Sequence, residues 1–306
     1  MESFSDKGAL VSVVITCYNY AHYLRQSIES VLGQTYTNIE IIVVNDGSTD
    51  NTEEVMSSYL NHPRIIYVKQ ENSGQAVAKN VGVRKASGSF VAFLDGDDLW
   101  CADKLEEQMK CFENPDVGVV YCRAKYVDQN GNEFDYEMTS HYLQPKRGAV
   151  TKWLFFDNFV QFSSTVVRKE CFEKFGAFDE TLKMGIDWDL WLRISTAYKF
   201  DYVDDRLFYY RMGHAGQMSK NLEERQRCSD RIMLNFLEKH PSLLSPWTIR
   251  KAYALTFCNR GEYYRPIDLK KSTRYYFNAI WQNPSEMGAY KGLAKNILSI
   301  CVYRCM

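Results

Sequence analysis

Residues Phe90-Val91-Ala92-Phe93-Leu94 run without a break into Asp95-Gly96-Asp97-Asp98-Leu99-Trp100. Five apolar residues, rich in aromatic and branched side chains and lacking polar alternation, predict a strand buried on both faces. Three carboxylates follow within four positions, where such a strand leaves its sheet. Like charges packed that closely repel one another. A divalent cation resolves the conflict, and oxygen ligands suit a hard ion such as magnesium or manganese. Gly96 allows a tight backbone bend between the first two acids. The alternative is a surface acidic turn that caps the following helix, a role that Asp98 alone would fill.

Further strands precede this one. Leu10 to Thr16 reads as a buried first strand, followed by the turn Cys17-Tyr18-Asn19-Tyr20. Between Ala21 and Leu32 the apolar positions Leu24, Ile28, Val31 and Leu32 recur at helical spacing. Ile39 to Val44 predicts a second strand that ends in the polar turn Asn45-Asp46-Gly47-Ser48-Thr49-Asp50, suited to capping the next helix. Arg64 to Val68 predicts a third strand, and Ser73 to Ala86 a helix closed by Gly88. Strands alternating with helices define an α/β chain whose mostly parallel sheet carries helices on both faces. Such sheets bind ligands beyond the carboxyl ends of their strands. Tyr18, Asp46 and Asp95 all fall at those ends, so one ligand can touch all three. Neither a GxGxxG dinucleotide fingerprint nor a Walker-type phosphate loop is present.

Four segments in order, Val11 to Asn19, Ile41 to Asp50, Asn72-Ser73-Gly74 through Lys79-Asn80, and Asp95-Gly96-Asp97-Asp98, resemble the family 2 inverting glycosyltransferases. The resemblance covers roughly residues 8–218. It implies the GT-A fold, a Rossmann-like sheet flanked by helices, and a nucleotide-diphosphate sugar donor, most often a uridine one. It also implies roles. Thr16 and Tyr18 line the base pocket, with Tyr18 supplying ring surface, and Asn19 and Gly96 belong to the same donor-binding set. Asp46 accepts a hydrogen bond from the base or ribose, Lys79 contacts base or phosphate, and Asp95 faces the ribose and the water shell of the metal, with direct ligation a further option. Asp97 coordinates magnesium or manganese, which bridges the two phosphates and neutralises charge on the leaving diphosphate. Thr16 stands where members often carry Pro, and Lys79 where they often carry Arg; Lys79 keeps the charge without the planar fork. Competing readings are a plain helix cap for Asp46, core packing for Tyr18 and a solvated helix position for Lys79.

The second half supplies the acceptor side. Val117 to Cys122 predicts a strand, Asp128-Gln129-Asn130-Gly131-Asn132 a hairpin turn, and 134–148 a polar, mobile loop near the acceptor. Phe162 to Val167 reads as a strand and Lys169 to Phe175 as a short helix. Gly185-Ile186-Asp187-Trp188-Asp189-Leu190-Trp191 continues the family pattern. An inverting transfer needs one general base for the acceptor hydroxyl, and a partly buried carboxylate suits that task because desolvation raises its pKa. The resemblance assigns this base to Asp187, second of a Glu-Asp pair in the family; here the first position is Ile186. The alternative makes Asp187 an N-cap and Asp189 the working acid. Trp188 is a packing residue or faces the acceptor. Leu207 to Ser219 reads as a strand running into a loop with Arg211 and His214. By resemblance His214 completes the metal shell or contacts the diphosphate. Arg211 pairs with phosphate, or with an acid of the sheet.

Residues 1–219 are thus expected to form the catalytic domain, with a nucleotide-sugar half over about 8–115 and an acceptor half over about 116–219. Residues 220–306 form a helical region, with helices over Leu222 to His240, Trp247 to Asn259, Asp268 to Trp281 and from Glu286 onward. The middle two faintly resemble one tetratricopeptide-type hairpin, a unit that needs stacking neighbours. From Lys220 onward there are 15 Lys and Arg against 7 Asp and Glu, while the whole chain carries a net charge of −1. The last helix, over 292–304, is amphipathic with basic edges. It is expected either to touch a membrane surface peripherally or to pack on the catalytic domain or a second copy of it, as in a homodimer. Nine cysteines, an odd number without zinc or CxxC spacing, suggest reduced thiols and a cytoplasmic setting. No secretion signal or apolar run of roughly 20 residues is visible. In the body of the protein no basic stripe interleaved with aromatics supports nucleic-acid binding.

Three functional classes follow. The first is a metal-dependent inverting transferase that moves sugar to a glycan or lipid-linked acceptor, in surface polysaccharide or glycoconjugate assembly. The second, a sugar nucleotidyltransferase, wants a glycine-rich basic loop after the first strand, and Thr16-Cys17-Tyr18-Asn19 offers none. The third is a non-catalytic nucleotide-sugar binding module; Asp95, Asp97 and Asp187 speak against it, and Ile186 speaks for it.

Overall fold

All seven residues of strand β1 (Val11–Cys17) are buried, as a strand covered on both faces must be. Helix α1 (Ala21–Leu32) follows, burying Leu24, Ile28 and Val31 on its apolar face. Next come β2 (Ile39–Asp46), α2 (Thr52–Ser57), β3 (Ile65–Gln70), α3 (Gln75–Lys85) and β4 (Phe90–Asp95). β1 pairs in parallel with β2 and with β4, and β2 pairs in parallel with β3. Within this register Thr16 stands opposite both Val44 and Asp95. Parallel pairing therefore brings the carboxyl ends of three strands to one edge. This description comes from a computed structural model, which covers residues 8–136, 140–214, 216 and 221–304, with side chains described to residue 299. The expected loop at 134–148 takes in 137–139, and the loop after Arg211 takes in 215 and 217–219; these positions lie outside the described residues.

The chain continues through β5 (Leu99–Trp100), α4 (Lys104–Cys111), β6 (Val117–Val127), β7 (Glu133–Phe134), α5 (Thr151–Phe156), β8 (Val166–Arg168), α6 (Lys169–Phe175), α7 (Ile186–Ser195) and β9 (Lys199–Arg211). The strands join in one mixed sheet of order β3-β2-β1-β4-β8-β6-β9-β5, with β7 on β6. Beyond β4 the pairing changes hand: β8 runs antiparallel to both β4 and β6. The mixed α/β architecture matches the expectation. One local reading does not hold. Phe162 to Val167 is not one strand: Phe162–Ser164 form a 3-10 turn, and only Val166–Arg168 pair in the sheet. The turn presents the carbonyls of Ser163 and Ser164 sideways to Trp100 Nε1 at 2.7 Å and Gln108 Nε2 at 2.8 Å, donors that a regular ladder would not meet.

The core of this unit lies between sheet and helices, with Ile15, Leu24, Ile28, Ile41, Val43 and Leu94 all buried. α3 approaches β1 closely at Gly82, where a Cβ would come within 2.2 Å of Val14 Cγ1.

The chain ends in α8 (Leu222–Lys239), α9 (Pro246–Tyr264), α10 (Leu269–Gln282) and α11 (Met287–Arg304). By contacts it divides into one unit of residues 1–151 and 158–236 and another of 152–157 and 237–306, so the division falls within α8. In the second unit Tyr276, Ala279 and Ala289 form a small core with Phe257, Cys258 and Leu293. Ser245 caps α9, its side chain accepting from Thr248 N at 3.1 Å. α9 runs on past the expected end at Asn259 to Tyr264, and the Tyr276 ring packs against it at Gly261, where a Cβ would come within 2.6 Å of the ring. Among the described residues no helix is long and apolar enough to cross a membrane.

Candidate active site

The loops after β1 and β2 clasp each other. Asn19 adopts the left-handed conformation (φ 59°), which Asn tolerates better than most residues. Its N–H donates to Ser48 Oγ at 2.9 Å, and its Oδ1 accepts from Thr49 N at 2.8 Å. Asp50 Oδ2 accepts from Ala21 N at 2.9 Å. Asn19 thus uses its side-chain oxygen to shape the rim. Tyr18, beside it, leaves its ring open, with 45% of its surface exposed, and core packing is ruled out for it. Thr16 is buried at the strand end.

Asp46 is buried at the end of β2. Its Oδ1 accepts from Gln70 Nε2 at 2.7 Å and Ser73 N at 2.9 Å, and its Oδ2 from Gly74 N at 2.9 Å. These bonds hold the loop that leads into α3. Among the described residues, Oδ2 accepts that single bond.

α3 carries Lys79 inward. Its Nζ lies 2.8 Å from Asp95 Oδ1, 3.4 Å from Gln75 Oε1 and 4.1 Å from the centre of the Phe162 ring. A solvated helix position is excluded, because Lys79 is buried. The same helix ties down the segment between α6 and α7: Asn80 Nδ2 donates to Phe178 O at 2.9 Å, and Gln75 Nε2 to Lys183 O at 3.0 Å.

The three acids after β4 separate into three environments. Asp95 keeps a third of its side chain open, and its N–H donates to Ser163 Oγ at 3.1 Å. Gly96 makes its turn by close approach, not by a left-handed backbone. A Cβ there would sit 3.0 Å from Cys17 Cβ and 3.1 Å from Thr16 O. Asp97 Oδ2 lies 2.9 Å from His214 Nε2, and both side chains are largely buried. The His214 ring meets Tyr20 and Tyr23 edge to face at 5.5 and 5.8 Å. Asp98 does not cap α4, whose N-cap is Asp103. It is buried beneath β9, where its Oδ1 accepts from Arg211 N at 2.9 Å. Burial, with Asp97 and Asp95 alongside, holds its carboxyl well above the ordinary range.

Arg211 is buried and bonded within the fold, and among the described residues its guanidinium pairs with no acid of the sheet. Nε donates to Asp97 O at 2.8 Å, Nη1 to Asp128 O at 3.3 Å, and Nη2 to Gln26 Oε1 at 3.1 Å. The guanidinium also lies 4.2 Å over the Tyr23 ring. The final pairs of β9 aim it inward, so it braces the turn that presents Asp97.

Asp187 is the second residue of α7, whose N-cap is Gly185 (φ 71°). Its Oδ2 accepts from Asn158 Nδ2 at 2.8 Å. Burial raises its carboxyl above the ordinary range, while the Trp188 N–H, Asn158 and the positive charge of Lys79 pull it back. Asp189 is instead tied to Arg193 Nη2 at 2.8 Å, which removes it as the alternative working acid. Ile186 is buried, and so is Trp188, which leaves Trp188 little ring surface to offer an acceptor.

Ser163 and Asn158, which hold Asp95 and Asp187, were not foreseen. Neither lies in a motif, and each acts across a long stretch of chain, 68 residues from Ser163 to Asp95 and 29 from Asn158 to Asp187.

The donor set fits a hard divalent cation: a carboxylate oxygen of Asp97 and an imidazole nitrogen of His214 converge, and Asp95 is partly open nearby in sequence. Among the described residues no three ligating side chains gather into a closed metal cage. A cation here would share its coordination with ligand oxygens, as magnesium commonly does.

Residues 12–176 match the sequence profile described as glycosyl transferase family 2. An uncharacterized glycosyltransferase of Rickettsia typhi is 37% identical over 199 residues, which cover 63% of this chain and 61% of that protein. The chain thus spans less than two thirds of that relative's length. Among solved structures, a fragment of TarS from S. aureus superposes with a TM-score of 0.67 at 18% identity, covering 94% of this chain and 88% of that one. The same fragment is known with UDP-GlcNAc bound. The mannosyltransferase PcManGT from Pyrobaculum calidifontis, solved with GDP-Man and Mn2+, superposes with a TM-score of 0.57 at 19% identity, covering 94% of this chain and 86% of that one. These structural likenesses establish the fold.

Proposed function

The chain belongs to glycosyl transferase family 2, and from that premise we propose that it moves a sugar from a nucleotide-diphosphate donor, uridine first among the candidates, to a hydroxyl of a glycan or lipid-linked acceptor with inversion at the anomeric carbon. The observation that carries this reading is the setting of Asp187: a carboxylate raised by burial, oriented by Asn158, and within the field of the lysine that holds Asp95. A carboxylate so placed suits a general base near neutral pH.

In this reading the open Tyr18 ring receives the base, and the free acceptor capacity of Asp46 and Asp95 meets base and ribose. Asp187 takes the proton of the acceptor hydroxyl as its oxygen attacks the anomeric carbon. The bond from that carbon to the diphosphate breaks on the opposite face, and the electron pair leaves with the diphosphate. Asp97 and His214 would hold magnesium or manganese. When bound, such an ion neutralises charge on the departing diphosphate. PcManGT, with GDP-Man and Mn2+, and TarS, with UDP-GlcNAc, support a nucleotide-sugar donor. The cellular role inferred from the family is surface polysaccharide or glycoconjugate synthesis.

The test pairs a thermal-shift titration with a turnover assay. Uridine diphosphate should raise the melting temperature when manganese is present, since a ligand of the native state stabilises it by mass action. Asp187→Asn should keep that shift and lose turnover. A folded protein that responds to no nucleotide would overturn the reading.

A further inference from the structure

We propose that the outer face of α9 and α10 docks on an anionic lipid bilayer. On α10, Lys270, Arg274, Phe277 and Trp281 recur at helical spacing on one side, while Ser272, Tyr276 and Ala279 are buried on the other. Trp281 is 81% exposed, Trp247 60% and Phe277 59%. Single exposed apolar residues are ordinary, but three large aromatics beside one another are not.

Arg250 joins the two helices. Its Nε donates to Gln282 O at 3.0 Å and its Nη2 to Trp281 O at 3.2 Å. This places Trp247, one turn earlier on α9, on the same side. Lys251 Nζ lies 4.9 Å over the Trp247 ring. Phe277, Ile280, Trp281 and Pro284 line a groove of about 660 Å³ with Arg250 at its rim.

Charge decides the occupant. From residue 237 onward there are 11 Lys and Arg against 4 Asp and Glu, in a chain of net charge −1. The acids of these helices are occupied: Glu262 meets Arg265 and accepts from Tyr276 Oη at 2.8 Å, and Asp268 accepts from Lys271 N at 2.9 Å. What faces outward is cationic and aromatic together. The core of a protein interface is depleted in charge, whereas a bilayer surface accepts Trp rings at headgroup depth and Lys or Arg against lipid phosphates. The face differs from the one expected from the sequence, which was the terminal helix.

The test is flotation of the full chain with vesicles of phosphatidylcholine alone and of phosphatidylcholine mixed with phosphatidylglycerol. The chain should float with the mixed vesicles only. Lys270→Gln with Arg274→Gln should lower the partition about 30-fold, and Phe277→Ser with Trp281→Ser at least about tenfold. Melting curves confirm that both variants are folded. Flotation on neither vesicle, equal flotation on both, or partition unchanged in both double variants would overturn the proposal. So would a dimer that these variants dissolve while no form binds vesicles, since the face would then belong to a second copy.

Discussion

Lys79 Nζ lies 2.8 Å from Asp95 Oδ1, joining a buried ammonium on α3 to a carboxylate at the open end of β4. The contact pins one oxygen of Asp95 and leaves about a third of the side chain open to solvent. It also places a positive charge where Asp187 feels it.

Lys79→Met removes the buried partner of a half-open ion pair. Loss of one member of a fully buried pair costs about 3–5 kcal/mol, and the exposure of Asp95 reduces this to about 1–3 kcal/mol. Lys79→Arg should retain most of the stability. Urea unfolding checks both, and a Met variant as stable as the parent would refute the assignment.

Arg211 is expected to act on folding first. Arg211→Ala leaves the part-buried carbonyl of Asp97 without its Nε donor, at about 1–3 kcal/mol, while the Asp128 carbonyl keeps the Gly131 N–H. The midpoint of urea unfolding should fall accordingly. A variant of unchanged stability that simply loses donor affinity would restore the phosphate-binding role.

Asp187 works as a base only when ionised, and its carboxyl is raised. Turnover should therefore rise with pH through a limb above the ordinary carboxylate range. Asn158 stabilises the ionised form, so Asn158→Leu should move that limb to higher pH while the plateau is partly recovered. A pH–rate profile with an unmoved limb would remove Asn158 from this role.

The same shift carries a stability consequence. A raised folded pKa means that the folded chain binds this proton more tightly than the unfolded chain. Ionisation at neutral pH therefore opposes folding. Asp187→Asn should melt at a higher temperature than the parent at pH 7, and the difference should vanish below about pH 4, where the carboxyl is protonated in both states. Calorimetry across that range decides it.

Asp97→Asn and His214→Ala should each weaken the manganese-dependent part of the uridine diphosphate thermal shift and spare any metal-independent part. A shift that stays fully dependent on manganese in both variants would place the cation elsewhere.

Much of this molecule is legible in its sequence. The largely apolar runs of β1, β2 and β4 announce parallel strands, because burial on both faces favours such runs. Parallel pairing aligns strand ends, so the order of the apolar runs alone puts Thr16, Asp46 and Asp95 on one edge. Helical spacing over Ala21–Leu32 fixes α1 for the same kind of reason: the period of the apolar residues is the period of the backbone. What only the tertiary structure decided is the direction of each polar side chain. Arg211 turns inward because β9 closes over Asp98, 113 residues earlier. Ser163 and Asn158 become partners of Asp95 and Asp187 through a turn and a loop that no local pattern marks. Apolar periodicity is a local property of the chain, whereas a hydrogen-bond partner is set by which distant backbone arrives beside it.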